Sequence, residues 1–243
     1  MGKVTPSSFD SSAKHWDTPA KAARSNRIAR QMRDLIDQFA PDATSGVEYG
    51  CGTGQVGFAM EDRFETLTFV DSSTAMIAEV EKKVERKEDP DAVQRGSVMS
   101  GPAVSGSTVS GSGVLGPPVF KTVVGDAQGG SLPGVSGEVF FLSLSLHHVS
   151  DVPALLRSFH SMMPAGGLLI IYDLDHEGGQ FHAGGRHDGH AHHGFRREDL
   201  GAQLEAAGFS VLEVQDGPPL IRKNGEEFRT FMMAARALSR HPS

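Results

Sequence analysis

Residues 47–57 read V-E-Y-G-C-G-T-G-Q-V-G, and the fold of the whole chain turns on them. Val47 and Tyr49 are β-prone, and a helix-compatible segment follows the glycines. Gly50, Gly52 and Gly54 stand at alternate positions. Lacking Cβ atoms, they let the backbone take positive φ and a ligand approach it closely. The helix that follows offers free N–H groups and a dipole that favours negative charge. Glu48 sits two residues before Gly50 and faces the same crevice. An acid there repels a phosphate but suits the cationic amine of an amino-acid ligand.

Gly52-x-Gly54-x-x-Gly57 also satisfies the dinucleotide fingerprint G-x-G-x-x-G, a short pattern that recurs by chance. Taken with Glu48 and Gly50, the stretch resembles motif I of the class I S-adenosylmethionine-dependent methyltransferases, E/D-x-G-x-G-x-G. The resemblance covers residues 44–175 apart from one insertion, and extends more loosely to the C-terminal strands. It departs in having Glu48 where Asp is commoner, which keeps the charge.

Outward from this turn, strand and helix signals alternate. Thr18-Pro19 is a helix start, and Ile28, Met32, Leu35, Ile36 and Phe39 recur at helical spacing up to Ala40-Pro41. Arg24, Arg27, Arg30 and Arg33 lie mostly on another face. They make a solvated surface, or else one of them reaches a ligand carboxylate. Strands are expected at 47–49, 66–70, 119–124, 139–144, 167–172, 209–214 and 228–234. Helices are expected at 56–63, from Ser72 or Ser73 onward, at 152–163 and at 196–207. Between Gly96 and Pro118 the composition shifts to Gly, Ser, Val and Pro, which reads as a mobile insertion. The alternation predicts an α/β protein with a doubly wound, mainly parallel sheet and helices on both faces. The resemblance implies seven strands with an antiparallel last strand. Residues 1–40 form an N-terminal helical cap on a Rossmann-like methyltransferase domain, 41–243.

Acids recur at successive strand ends. Asp71 closes the second strand, where a side chain can accept hydrogen bonds from ribose hydroxyls. That serves NAD as well as S-adenosylmethionine. Val124-Gly125-Asp126-Ala127 closes the third; this is turn-prone chemistry, yet it also resembles a methyltransferase adenine motif. Leu146-His147-His148-Val149 follows the fourth strand and resembles a segment of small-molecule methyltransferases. The resemblance implies that Glu48 orients the donor's amine, and that Gly50, Gly52 and Gly54 admit its methionyl portion. Asp71, with Ser72 beside it, holds the ribose. Met76 or Ile77 packs near the adenosine, Asp126 and the Ala127 amide read adenine, and Ser143 flanks the methionine moiety. His148, or else His147, is the candidate catalytic base. The alternative is a capped turn with one ring packed and the other facing water.

Composition narrows the field. A chain of 243 residues with net charge −7 lacks the basic balance that a nucleic-acid backbone calls for, so the expected partner is a small molecule. Its single cysteine, Cys51, excludes an internal disulfide and suggests a reducing, cytoplasmic setting. No apolar run approaches a membrane span, and residues 1–10 lack a secretory segment. His176, His182, His187, His190, His192 and His193 crowd the loop after the fifth strand. Glycines interrupt them, and no H-E-x-x-H pattern appears, so the loop reads as a flexible substrate-facing wall and no metal is expected. The expected activity is methyl transfer from S-adenosylmethionine to a small molecule. An NAD-dependent oxidoreductase, and a non-catalytic donor- or metal-binding module on the same scaffold, are the alternatives. The first of these lacks a Tyr-x-x-x-Lys pair at either tyrosine.

Overall fold

The strand Leu168–Leu174 is buried along its whole length, and its side chains divide between two apolar layers. Leu169 and Ile171 join one core cluster; Leu168, Ile170 and Tyr172 join the other. The computed structural model describes residues 9–88, 117–178, 181, 191–221 and 225–240. The strands are β1 (Ser45–Tyr49), β2 (Thr66–Asp71), β3 (Val119–Val124), β4 (Val139–Ser143), β5 (Leu168–Leu174), β6 (Phe209–Asp216), β7 (Leu220–Ile221), β8 (Glu227–Phe228) and β9 (Thr230–Ala237). Seven of them form one sheet in the order β3-β2-β1-β4-β5-β9-β6. β9 alone runs opposite to the other six. β7 and β8 pair as a separate hairpin.

The helices are α1 (Pro19–Phe39), α2 (Gln55–Phe58), α3 (Thr74–Glu88), α4 (Val152–Met162) and α5 (Arg197–Ala206). Leu155, Leu156 and Phe159 of α4, with Leu200 and Leu204 of α5, cover one face of the sheet. Ile28, Met32, Leu35 and Ile36 of α1, with Ile77 and Val80 of α3, cover the other. Sequence periodicity of about 3.6 puts each stripe on one side of its helix. The Thr18 hydroxyl caps α1, accepting from the Lys21 amide at 3.3 Å, and Pro19 occupies the first turn. Asp151 caps α4 in the same way at 2.9 Å.

Two expectations are corrected, and a third, the cap at Ser72 or Ser73, is narrowed to one residue. The helix expected at 56–63 is one α-turn, α2, followed by a 3-10 turn at Glu61–Arg63. There Arg63 forks onto the carbonyls of Ala40, Pro41 and Ala43 at 2.7–2.9 Å, which pulls the chain straight into β2. Ser73, not Ser72, caps α3, its hydroxyl accepting from the Met76 amide at 3.2 Å. The last strand is β9, Thr230–Ala237, while Phe228 belongs to the hairpin. Up to residue 116 the expected insertion at 96–118 lies outside the described residues. Among the described residues no helix is long and apolar enough to cross a membrane.

Candidate active site

Strand order reverses between β1 and β4, since β2 and β3 lie on one side and β5 on the other. Side chains at the carboxyl ends of such strands open onto a crevice. Here the crevice is a hollow of about 660 Å³, inside the roughly 300–1,000 Å³ range of small-molecule sites. The chain turns around its floor through Gly50 (φ +64°), Gly52 (φ +54°) and Gly54 (φ +76°). A Cβ on Gly52 would meet only Trp16 Nε1, at 3.8 Å, so bare backbone faces the hollow there.

Glu48, Gly50, Gly52, Asp71, Ser72 and Met76 line this hollow from the β1 and β2 side. Asp126 lines it from beyond β3 on one flank of that pair, and Ser143, His147 and His148 from the end of β4 on the other. Gly54 and Ala127 stand outside the lining. A Cβ on Gly54 would come within 2.9 Å of Phe69 and 3.0 Å of Phe58, so this glycine serves the packing beneath the turn.

Glu48 is 2% exposed, and its Oε2 accepts the Gly57 amide at 3.0 Å. Burial pushes its carboxyl up to about 8; the Gly57 bond opposes this and the charge of Asp71 adds to it. The Asp71 carboxylate accepts from the Gly52 amide and the Ser73 amide, each at 2.8 Å and on different oxygens. Each oxygen keeps a further lone pair. Burial raises the pKa of Asp71 as well.

Asp126 is tied into the site by a residue that sequence reading treated only as a strand former. The Tyr49 hydroxyl donates to Asp126 Oδ1 at 2.9 Å and accepts the Ala127 amide at 3.1 Å. That amide, expected to bond an adenine nitrogen, is therefore spent inside the protein. Burial holds the Tyr49 phenol far above its ordinary pKa, so it remains a donor.

His147 and His148 follow β4 in a short 3-10 turn after Leu144, which is held at φ +55°. For a non-glycine residue this is a strained conformation of the kind found at functional sites. His147 Nδ1 lies 2.7 Å from Asp173 Oδ1 on β5, and the two side chains are 3% and 1% exposed. Asp173 also accepts the backbone amides of His147 at 3.2 Å and Leu174 at 2.7 Å. A carboxylate can only accept, so Nδ1 carries a proton. The His148 ring lies beside it, with centroids 4.1 Å apart.

The wall opposite comes from α1 and the segment before it. Lys21, Arg24, Trp16 and Phe9 all line the hollow. Of the four arginines on α1 it is Arg24 that reaches in, and burial lowers its pKa. Its Nε is buried without a hydrogen-bond partner among the described residues. Trp16, Lys21, Tyr49 and Asp173 were not legible as site residues. A lone tryptophan just ahead of a capped helix was the one available signal. Of the histidine-rich loop, His182, His187 and His190 lie outside the described residues. Among the described residues no group of three His, Cys, Asp or Glu is placed to hold a metal ion.

A seven-stranded sheet with one reversed strand and an acid-rimmed glycine turn defines a Rossmann-like protein with a nucleoside-sized crevice. Residues 23–214 match the family model of a methyltransferase domain, and the chain belongs to that family. A search of curated protein sequences finds no significant match. Solved structures with the same fold include an S-adenosylmethionine-dependent methyltransferase of Clostridium acetobutylicum (12% identity, 95% of this chain and 99% of that one, TM-score 0.67). Another is such a methyltransferase of Aquifex aeolicus (15% identity, 94% and 98% of the chains, TM-score 0.61). A third is the 1,6-didemethyltoxoflavin-N1-methyltransferase of Burkholderia thailandensis, solved with S-adenosylhomocysteine (17% identity, 95% and 86%, TM-score 0.63).

Proposed function

We propose that this methyltransferase moves a methyl group from S-adenosylmethionine to a hydroxyl of a small molecule, with His147 as the base. The observation that carries the reading is the buried His147–Asp173 pair opening onto the same hollow as the glycine turn. The residues present suit the donor. Bare backbone at Gly52 leaves room for its methionyl portion, and Arg24 offers an unpaired Nε for its carboxylate. Glu48 takes its amine in this reading, Asp71 accepts from the ribose hydroxyls and Asp126 serves the adenine end, which the shared lining of the three acids supports. When bound, the sulfonium supplies an electrophilic methyl carbon and leaves as a neutral thioether.

The protein's own part is alignment, exclusion of water and movement of one proton. Asp173 holds the imidazole with Nδ1 protonated. Nε2 then takes the acceptor's hydroxyl proton as its oxygen forms the new bond to carbon. Asp173 stabilises the imidazolium, which later gives the proton to solvent. The lone Cys51 fits work in the reducing cytoplasm. Titration calorimetry with S-adenosylhomocysteine and with NAD tests the donor. Saturable heat with the first and none with the second is expected; the reverse would overturn the reading.

A further inference from the structure

We infer that the acceptor is a flat aromatic molecule carrying a negative charge, its ring held among Trp16, His148 and Phe181 and its anionic group at Lys21. This deepens the proposed function and rests on it for the donor's place in the hollow.

The first argument is a charge count. Two cations, Lys21 and Arg24, face the hollow from α1. The donor brings one carboxylate, which Arg24 is placed to take. Lys21 remains, and it makes no ion pair among the described residues. The acid nearest to it in sequence, Asp17, is committed to the Thr53 hydroxyl, the Gln55 amide and the Lys83 ammonium, the last at 2.6 Å. Burial depresses the Lys21 pKa and Arg24 depresses it further, while the charge of Asp17 opposes both. The carboxylates that line the hollow, Glu48, Asp71 and Asp126, belong to the strand ends, so the excess of positive charge is local to the α1 wall. An anionic group on the acceptor gives Lys21 an opposite charge there; a neutral or cationic one gives it none.

The second argument is the wall. Rings from three chain segments line the hollow: Phe9 and Trp16 before α1, His148 after β4, and Phe181 after β5. Phe9 stands edge-on to Trp16 at 5.9 Å and to His148 at 5.1 Å. Phe181 is braced edge-on by Phe228 of the hairpin at 5.1 Å. The Lys21 ammonium lies 3.3 Å from the centre of the Trp16 ring, which holds the cation beside an aromatic face. A planar ring can stack on such walls while its acidic group meets the ammonium. An aliphatic acceptor would use neither the faces nor their spacing.

Trp16 is the only tryptophan of the chain, so its fluorescence reports on this wall alone. The experiment titrates the 243-residue chain, with S-adenosylhomocysteine present, against 4-hydroxybenzoate, 4-hydroxybenzamide and the alicyclic 4-hydroxycyclohexanecarboxylate. The aromatic acid is expected to quench Trp16 saturably, to bind about ten-fold more tightly than the amide, the scale of one charge-assisted bond, and to bind roughly three- to ten-fold more tightly than the alicyclic acid, the scale of an aromatic contact. Lys21→Gln should erase the preference for acid over amide. Equal affinity for acid and amide in the unaltered protein, which needs no variant to fold, would overturn the charge argument. Equal affinity for the aromatic and alicyclic acids would overturn the ring argument. Calorimetry with S-adenosylhomocysteine on the same sample keeps the two readings apart. Selective quenching without that heat would support the aromatic-anion site while sinking the donor assignment.

Discussion

His147 Nδ1 and Asp173 Oδ1 lie 2.7 Å apart, sealed from solvent between the ends of β4 and β5. Asp173→Asn should lower kcat by about 10²–10⁴-fold, the range of a positioned base, because an amide can no longer fix the proton on Nδ1. It also weakens the acceptor of two backbone amides, at a cost of about 1–3 kcal/mol in stability. Affinity for S-adenosylhomocysteine should stay close to that of the unaltered protein. A variant that folds and turns over normally would remove His147 from the chemistry.

If Glu48 meets the donor's amine as proposed, donor binding should depend on pH. Its folded pKa of about 8 exceeds the ordinary 4.5, so the folded state holds a proton that the unfolded chain releases between those values. The stability this group contributes is therefore complete below about 4.5 and is lost as pH rises through about 8. A donor ammonium beside the carboxylate favours its charged form and expels the proton. Affinity for S-adenosylmethionine should thus increase from pH 6 to pH 8, with proton release visible as a buffer-dependent binding heat. Glu48→Gln should abolish that buffer dependence, and a heat unchanged between the two proteins would refute it.

Gly57 and Gly52 are bare for different reasons, and alanine at each should separate stability from binding. A Cβ on Gly57 would fall 2.5 Å from Glu48 Oε2 and 2.6 Å from Phe69, both buried. Gly57→Ala is expected to cost about 1–3 kcal/mol of stability through overpacking. A Cβ on Gly52 meets no such obstacle, but φ +54° strains any L-residue there by about 1–2 kcal/mol. Gly52→Ala should therefore reduce donor affinity more than its modest loss of stability suggests. Chemical denaturation and calorimetry on both variants give the comparison.

Tyr49→Phe removes the hydroxyl that joins Asp126 to the Ala127 amide. Ala127 is fully buried, so its amide would be left without a partner, a loss of about 1–3 kcal/mol. Asp126 would also lose one of the bonds that hold its carboxylate. Lower stability together with weaker binding of the adenosine half, tested with adenosine itself, is the expected outcome. Unchanged stability would mean that Ala127 finds another acceptor.

What could be read from neighbouring residues was read well where the physics is local. The glycine turn, the cap at Thr18 and the apolar stripe of α1 follow from φ freedom, a capping hydroxyl and periodicity. Where local signals compete with distant ones, the reading slipped. The helix expected at 56–63 breaks because Arg63 is claimed by carbonyls on the far side of the α1–β1 turn. Phe228 has strand propensity but pairs with Leu220, leaving the sheet to begin at Thr230.

The sequence by itself determined a doubly wound sheet, a glycine turn able to admit a ligand, and acids at the ends of β2 and β3. Each of these is set by residues a few positions apart. Only the tertiary structure decided which groups share the hollow. Pairing of Ser143 with Tyr172 between β4 and β5 brings His147 beside Asp173. The packing of α1 turns Lys21 and Arg24 inward, while Trp16 closes the wall from the segment before it. Such partnerships depend on strand register and helix placement, which are fixed by the burial of whole faces and leave no mark on the spacing of the residues involved.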